Sequence, residues 1–339
     1  MEFVEALVCH EPGKLQLEQR PAPQSAKEHA LVRPRRIGIC GTDFHIYEGK
    51  HPFLKYPRIM GHELAVEIID APPGSELSTG ETCVVNPYLS CGHCVACRLD
   101  KPNCCVNISV LGVHQDGGMI RCLSVPAGNL IRAEGLSADQ SATVEFLAIG
   151  AHAVRRGGVT SRDRVLVVGT GPIGLGVALF ARLAGGTVAV FDTDPERTAT
   201  AVALLHVDTL PVADSTAQAA QAFTGGDGFD VVFDATGSRR AMERGFDLVA
   251  HGGRYVLVSV VKDTIAFADP DFHRKETTLL GSRNATNEDF QRVIAAIRSG
   301  DVPVDRFITH RTNLTNAARD ISIWATQKSG LIKAIIEVE

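Results

Sequence analysis

Cys91, Cys94, Cys97 and Cys105 follow one another as C-x2-C-x2-C-x7-C, in a stretch punctuated by Gly92 and Pro102. Four thiolates so spaced can close a tetrahedral zinc shell with no help from elsewhere in the chain. An iron–sulfur cluster is the rival reading, although in that ligation a proline follows a closer fourth cysteine. Cys104 is an ambiguous neighbour for the fourth ligand. A closed shell leaves no open coordination position, so a structural metal without chemistry of its own is expected here.

A second set is looser. Cys40 lies in Gly38-Ile39-Cys40-Gly41-Thr42-Asp43-Phe44-His45, and His62-Glu63 follow within Gly61-His62-Glu63. Singly these carry little: a lone cysteine is most often a small buried hydrophobe and a lone histidine a satisfied core or surface residue. Together, a thiol, an imidazole and a carboxylate make a mixed shell that suits zinc. Glu145, in Val144-Glu145-Phe146, adds a second carboxylate. An acid in so apolar a segment needs a partner, and a metal would be one.

The third motif is Gly169, Gly171 and Gly174 in G-x-G-x-x-G spacing, after the apolar run Val165 to Val168 and opening a helix at Pro172 and Ile173. Strand, glycine turn and helix together form a pyrophosphate site: the glycines allow a tight turn and close backbone approach, and the helix N-terminus faces the phosphates. Asp192 ends the next strand 18 residues on, where a carboxylate accepts from ribose hydroxyls; this favours NAD over NADP. The competing possibilities are that Asp192 is a turn residue and that Arg197 meets a 2′-phosphate.

These motifs need two kinds of scaffold. Up to about Phe146 the chain is rich in Gly, Pro, His and Cys with short apolar runs, as irregular β structure reads. Beyond it, the runs Val165 to Val168, Thr187 to Phe191, Phe229 to Phe233 and Tyr255 to Val260 alternate with helix-length stretches such as Ile173 to Ala184. Repeated βα predicts a parallel sheet. Asp194, Pro195 and Glu196 supply a cap, a first-turn proline and an early acid, so a helix starts there. An amphipathic helix is expected over Asn287 to Ser299, and a final strand over Leu331 to Val338, in a tail that rejoins the first domain. The boundaries expected are 1–146, 147–283 and 284–339, and a chain of 339 residues is long enough for two cores.

With 45% apolar and 22% charged residues the composition is that of a globular protein. A net charge of -5 without runs of like charge argues against nucleic acid or an anionic membrane as partner and for a small molecule. No apolar run approaches the roughly 20 residues of a membrane span, and Met1 to Cys9 does not read as an export signal, so a cytoplasmic location is expected. Nine cysteines, an odd number in a chain of this size, point to metal ligation or free thiols rather than disulfides.

Taken together, these motifs resemble the zinc-dependent medium-chain dehydrogenases over essentially the whole chain. The resemblance implies an α/β fold: a GroES-like irregular β catalytic domain carrying both zincs, with an inserted Rossmann domain built on a doubly wound parallel sheet, and a cleft between them. It implies that Cys40, His62 and Glu145 are catalytic zinc ligands, that Glu63 is an acid able to ligate or exchange with water, and that Thr42 and His45 form a proton relay. Three protein ligands leave an open position at which zinc acidifies an alcohol, which then loses hydride to the nicotinamide. A homodimer or homotetramer is implied as well.

Within the family the polyol, threonine and sugar-acid branch is most similar. Pro52-Phe53-Leu54-Lys55-Tyr56-Pro57-Arg58 and Gly281-Ser282-Arg283-Asn284-Ala285-Thr286 resemble the hexonate dehydrogenases, which act on L-galactonate or L-gulonate. Arg283 follows the last cofactor-domain strand, Thr277 to Gly281, and could grip a carboxylate in bidentate fashion while Asn284 serves hydroxyls. Pairing of Arg283 with cofactor phosphate or with Glu276 is the alternative. Polyol and L-threonine dehydrogenases are the rival activities, and an NAD-binding redox sensor or scaffold is the rival of another class. Two departures from the family pattern are Val66, in place of glycine, and Phe146, in place of proline; the first is expected to tighten packing and the second to shift the backbone carrying Glu145.

Overall fold

The computed structural model describes residues 2–24, 26–51, 54–211, 216–327 and 329–339. Pro52 and Phe53, at the head of one of the runs compared with the hexonate dehydrogenases, lie outside the described residues. The chain divides into two compact units, Met1–Glu145 with Thr286–Glu339, and Phe146–Ala285.

In chain order the first unit supplies β1 (Phe3–Glu11), β2 (Lys14–Pro21), β3 (His29–Ile39), β4 (Arg58–Ile59), β5 (Glu63–Asp70), β6 (Thr82–Val85), β7 (Tyr88–Leu89), β8 (Ser109–Val110), β9 (Leu123–Pro126) and β10 (Leu130–Arg132). The second unit supplies β11 (Arg164–Val168), β12 (Thr187–Phe191), β13 (Asp208–Thr209), β14 (Phe229–Asp234), β15 (Val249–Leu257) and β16 (Thr278–Gly281). The chain then returns to the first unit with β17 (Ile308–Asn313) and β18 (Lys333–Glu337).

The main sheet of the first unit runs β10-β6-β5-β3-β18-β17, with β9 also paired to β3. Alternation of exposed and buried residues along β3 gives way at Ile37, Gly38 and Ile39 to burial on both faces. That central end of β3 is where the site assembles. The core beside it includes Leu7, Ile37, Ile46, Met60 and Ile336. Val66 is fully buried, opposite Pro34 of β3 and Cys83 of β6.

The second unit is a six-stranded sheet in the order β13-β12-β11-β14-β15-β16, parallel at every pairing. The order reverses beside β11, and the carboxyl ends of β11 and β14 therefore form a topological switch point, where α/β sheets bind ligands. The valine-rich runs of β11 and β14 are buried, as strands covered on both faces must be. Strand β15 differs from the sequence expectation of Tyr255 to Val260. It starts at Val249, runs through Gly252 and Gly253, and stops at Leu257. Glycine at position 253 is what lets it continue, since a Cβ there would sit 2.7 Å from Val249 Cγ1. Among the described residues no helix is long and apolar enough to cross a membrane.

Candidate active site and metal centres

Cys40 caps the helix Gly41–Tyr47 where β3 ends. Its backbone N–H donates to Asp43 Oδ2 at 2.9 Å, and the other oxygen of that carboxylate accepts from Gly61 N at 3.3 Å. One fully buried acid thus binds the backbone beside both Cys40 and His62. Burial raises the Asp43 pKa, against the nearby His62 and the two backbone donors. Asp43 is inconspicuous in the sequence because the usual capping box starts with serine or threonine. An acid three residues after the N-cap was the available signal.

His62 is 5% exposed and its Nδ1 lies 3.8 Å from Asp43 Oδ1, without a hydrogen-bond partner. Burial works against its charged form, but Asp43, Cys40 and Glu145 outweigh it and hold the imidazole pKa well above its usual value. A bound divalent cation is the other answer to so negative a surrounding. The donor atoms of Cys40, His62 and Glu63 lie within 4.8 Å of one another, and the set of a soft thiol, an imidazole and a carboxylate fits zinc.

Glu63 reaches this site through a gap. Its partner across β5 and β3 is Gly38, where a Cβ would stand 2.1 Å from Glu63 Oε2. On the far side of β3, β18 pairs Ala334 with Ile39 and brings Lys333 in next to it. Lys333 Nζ donates to both oxygens of Glu63 at 2.7 Å and to Ile39 O at 3.3 Å. Burial pulls the lysine pKa down, but Glu63 and Cys40 outweigh it and raise it, so the ammonium stays charged. Lys333 was not foreseen, because a lysine in an apolar strand reads as an edge residue until its neighbours are known.

Glu145 is 3% exposed in the first turn of the helix Val144–Gly157. It stands outside the tight donor set of Cys40, His62 and Glu63 and instead accepts a hydrogen bond from the Tyr88 hydroxyl. Burial pushes its carboxyl up to about 7. Phe146, which follows it, is fully buried. Thr42 Oγ1 lies 3.9 Å from Cys40 Sγ, and His45 is exposed one helical turn on.

The sulfurs of Cys91, Cys94, Cys97 and Cys105 also lie within 4.8 Å of one another, while Cys104 is exposed and outside the group. The backbone N–H groups of Cys97 and Val106 lower Cys94 to about 6, whereas desolvation and the sulfurs of Cys94 and Cys105 push Cys97 up to about 11. Four sulfurs this close cannot all ionise without a cation among them. A single metal at the centre satisfies the whole group.

In the second unit Gly169 has φ +90°, and a Cβ on Gly174 would lie 1.8 Å from Gly169 O. The turn therefore requires glycine at both positions. Gly171 caps the helix Pro172–Leu183, whose first turn holds Pro172 and Ile173. Asp192 Oδ2 accepts from Thr170 N at 2.8 Å and Thr170 Oγ1 at 3.1 Å, so the acid at the tip of β12 also braces the glycine turn. Arg197 pairs with Asp194 at 3.7 Å. Arg283 is exposed and Asn284, at φ +54°, is half-buried, both directly after β16.

Comparison with known proteins agrees with this architecture. The alcohol dehydrogenase GroES-like domain family matches residues 26–135, and the zinc-binding dehydrogenase family matches residues 172–299. The chain belongs to the zinc-dependent medium-chain alcohol dehydrogenases, oxidoreductases that act on CH–OH groups. It is 40% identical to the L-galactonate-5-dehydrogenase of Escherichia coli (strain K12) over 338 residues, 99% of each chain. Among solved structures, an alcohol dehydrogenase of Escherichia coli CFT073 complexed with NADH superimposes with TM-score 0.92 at 28% identity, covering 99% of each chain. The 2R,3R-butanediol dehydrogenase of Bacillus subtilis does so with TM-score 0.91 at 25% identity, over 98% of this chain and 99% of the other.

Proposed function

We propose that the chain oxidises a secondary hydroxyl of a hexonate such as L-galactonate or L-gulonate to the ketone, with NAD as hydride acceptor. The full-length 40% identity to an L-galactonate-5-dehydrogenase carries the substrate class. The thiol, imidazole and carboxylate donors gathered at the end of β3 support the chemistry. Cys40 and His62 with Glu63 or Glu145 would hold zinc, whose Lewis acidity would make an alcohol easier to deprotonate. Gly169, Gly171 and Gly174 would hold the pyrophosphate of NAD and Asp192 its ribose, and the bound cofactor would supply the hydride acceptor.

The remaining work belongs to the chain's own side chains. Thr42 accepts the alcohol proton at its hydroxyl oxygen while donating its own onward, and His45, exposed on the same helix, passes the proton to solvent. Asp43 places a carboxylate 3.8 Å from His62 Nδ1, and Lys333 holds Glu63. Arg283, at the carboxyl end of β16, grips the substrate carboxylate and Asn284 its hydroxyls. A second zinc, bound by the four cysteines, is structural. A reducing cytoplasm suits nine cysteines kept as metal ligands or thiols, and the edge strand β16, with Leu279 39% exposed, supports assembly into a homodimer or homotetramer.

The test is NADH formation across L-galactonate, L-gulonate, sorbitol and L-threonine, with wild type and Arg283→Ala. Preference for the hexonates, and a loss in Arg283→Ala far greater for them than for sorbitol, is the expected outcome. A wild type that prefers sorbitol or threonine, or equal losses on acid and polyol, would end the reading.

A further inference from the structure

The four-cysteine segment contains almost nothing that could hold it in place by packing. Val95 and Leu99 within it are 55% and 64% exposed, and of residues 91–105 only Asn103 and Cys105 are buried. With so little packing, the clustered sulfurs are its main cross-link, and a metal would close it. The segment is nevertheless the connection between two paired strands. It leaves β7 and returns to β8, which pair antiparallel with Tyr88 opposite Val110 and Leu89 opposite Ser109. The two ends are drawn together again where Cys91 N donates to Cys105 Sγ at 3.3 Å.

Tyr88, three residues before Cys91, sits at the base of this lobe and is itself clamped. Its N–H donates to Asn86 Oδ1 at 3.1 Å, and its carbonyl accepts from Asn129 Nδ2 at 3.4 Å. Asn86 is fixed in turn by Asn129 O, which accepts its N–H at 2.8 Å, and by Asn287 Oδ1 at 2.8 Å. From this base the buried phenol reaches Glu145 and donates to its Oε1. A carboxylate has two oxygens, so a phenol bonded to one leaves the second to take a cation.

We propose that Tyr88 is the positioning residue for Glu145, and that the four-cysteine lobe is the strut that keeps it in place, so that the two metal centres are coupled through one hydrogen bond. This rests on the reading of Cys40, His62 and the carboxylates as a metal site. Filling the lobe closes the β7–β8 base, holds the Tyr88 hydroxyl against Glu145 and strengthens the second site. Emptying it loosens the same bond. The lobe therefore acts on the chemistry without contributing a ligand to it.

The experiment is metal retention by the purified full-length holoenzyme in competition with a colorimetric zinc chelator. The phase due to the second site is assigned with Cys40→Ser, and the site is checked by the visible absorption of a cobalt-substituted form. Tyr88→Phe keeps the ring and removes the hydroxyl. It is expected to weaken the second site about 10–100-fold, the usual effect of losing such a partner, and to leave the four-cysteine phase unchanged. Cys97→Ser should weaken the second site by a similar factor, and the double variant should lose no more than either single one, because both act through one bond. Should Cys97→Ser fail to fold, Asn129→Ala, which frees the Tyr88 strand, replaces it and must show the same non-additivity. A second-site phase that Tyr88→Phe does not move, or losses that simply add, overturns the coupling while leaving the metal site standing. A wild type with no second-site phase overturns the metal reading and the coupling with it.

Discussion

The ammonium of Lys333 lies 2.7 Å from both carboxylate oxygens of Glu63, with the two side chains 1% and 0% exposed. Removing one partner leaves a buried charge unanswered, which costs about 3–5 kcal/mol, whereas removing both is nearly neutral. Lys333→Met is therefore expected to destabilise the metal-free protein by that amount, and Lys333→Met with Glu63→Gln to recover most of it. The single tryptophan, Trp324, lies in the same unit as the pair and reports its unfolding in denaturant. A Lys333→Met protein as stable as wild type would show that the pair is not what holds Glu63.

Two thiol sites of different design should respond differently to loss of a sulfur. Metal analysis is expected to find about two zinc equivalents per chain. Cys40→Ser should abolish turnover and leave the unfolding transition in place. Cys97→Ser should lower stability, because the exposed lobe buries little and its clustered sulfurs are its main cross-link. Full activity in Cys40→Ser would remove the catalytic assignment.

Asp192 braces Thr170 of the glycine turn and is proposed to bind the ribose as well. Asp192→Ser is thus expected to lower kcat/KM with NAD about tenfold or more and to narrow the preference for NAD over NADP. Kinetics with both cofactors measure this. An unmodified enzyme that uses NADP as well as NAD would refute the role given to the carboxylate.

Asp139 accepts from Arg36 Nε at 2.8 Å and from Arg311 Nη2 at 2.6 Å. Burial would raise its pKa, but these hydrogen bonds outweigh it and hold the carboxyl below its usual value. The unfolded chain then binds the proton more readily, so the stabilisation is fully present above the ordinary carboxylate pKa of about 4 and is lost as pH falls through the depressed one. Asp139→Asn should cost about 2 kcal/mol at pH 7. The gap from wild type should close as both are unfolded at progressively lower pH. A gap that persists unchanged in acid would assign the loss to packing instead.

Much of the site was legible because its signals are local. The spacing of Cys91, Cys94, Cys97 and Cys105 places four sulfurs within one short loop, and Gly169, Gly171 and Gly174 form one turn, so adjacency in sequence nearly guarantees adjacency in space. Cys104 against Cys105 was not decided by spacing. The backbone of the 3-10 turn Pro102–Cys104 decides it, exposing Cys104 and burying Cys105. The start of β15 was misplaced because paired glycines usually end a strand, while here Gly253 makes room for Val249.

From the sequence alone came the class of chemistry, the parallel sheet and the candidate ligands, since donor type and periodicity are properties of the chain itself. The tertiary structure decided which buried group answers each of them. Asp43, bonded to Cys40, meets Gly61 across 18 positions, Tyr88 meets Glu145 across 57, and Lys333 meets Glu63 across 270. No periodicity encodes such pairings. They follow from strand order, with β18 laid beside β3 and Gly38 leaving the gap, and a buried charge can choose its partner only after the sheet has formed.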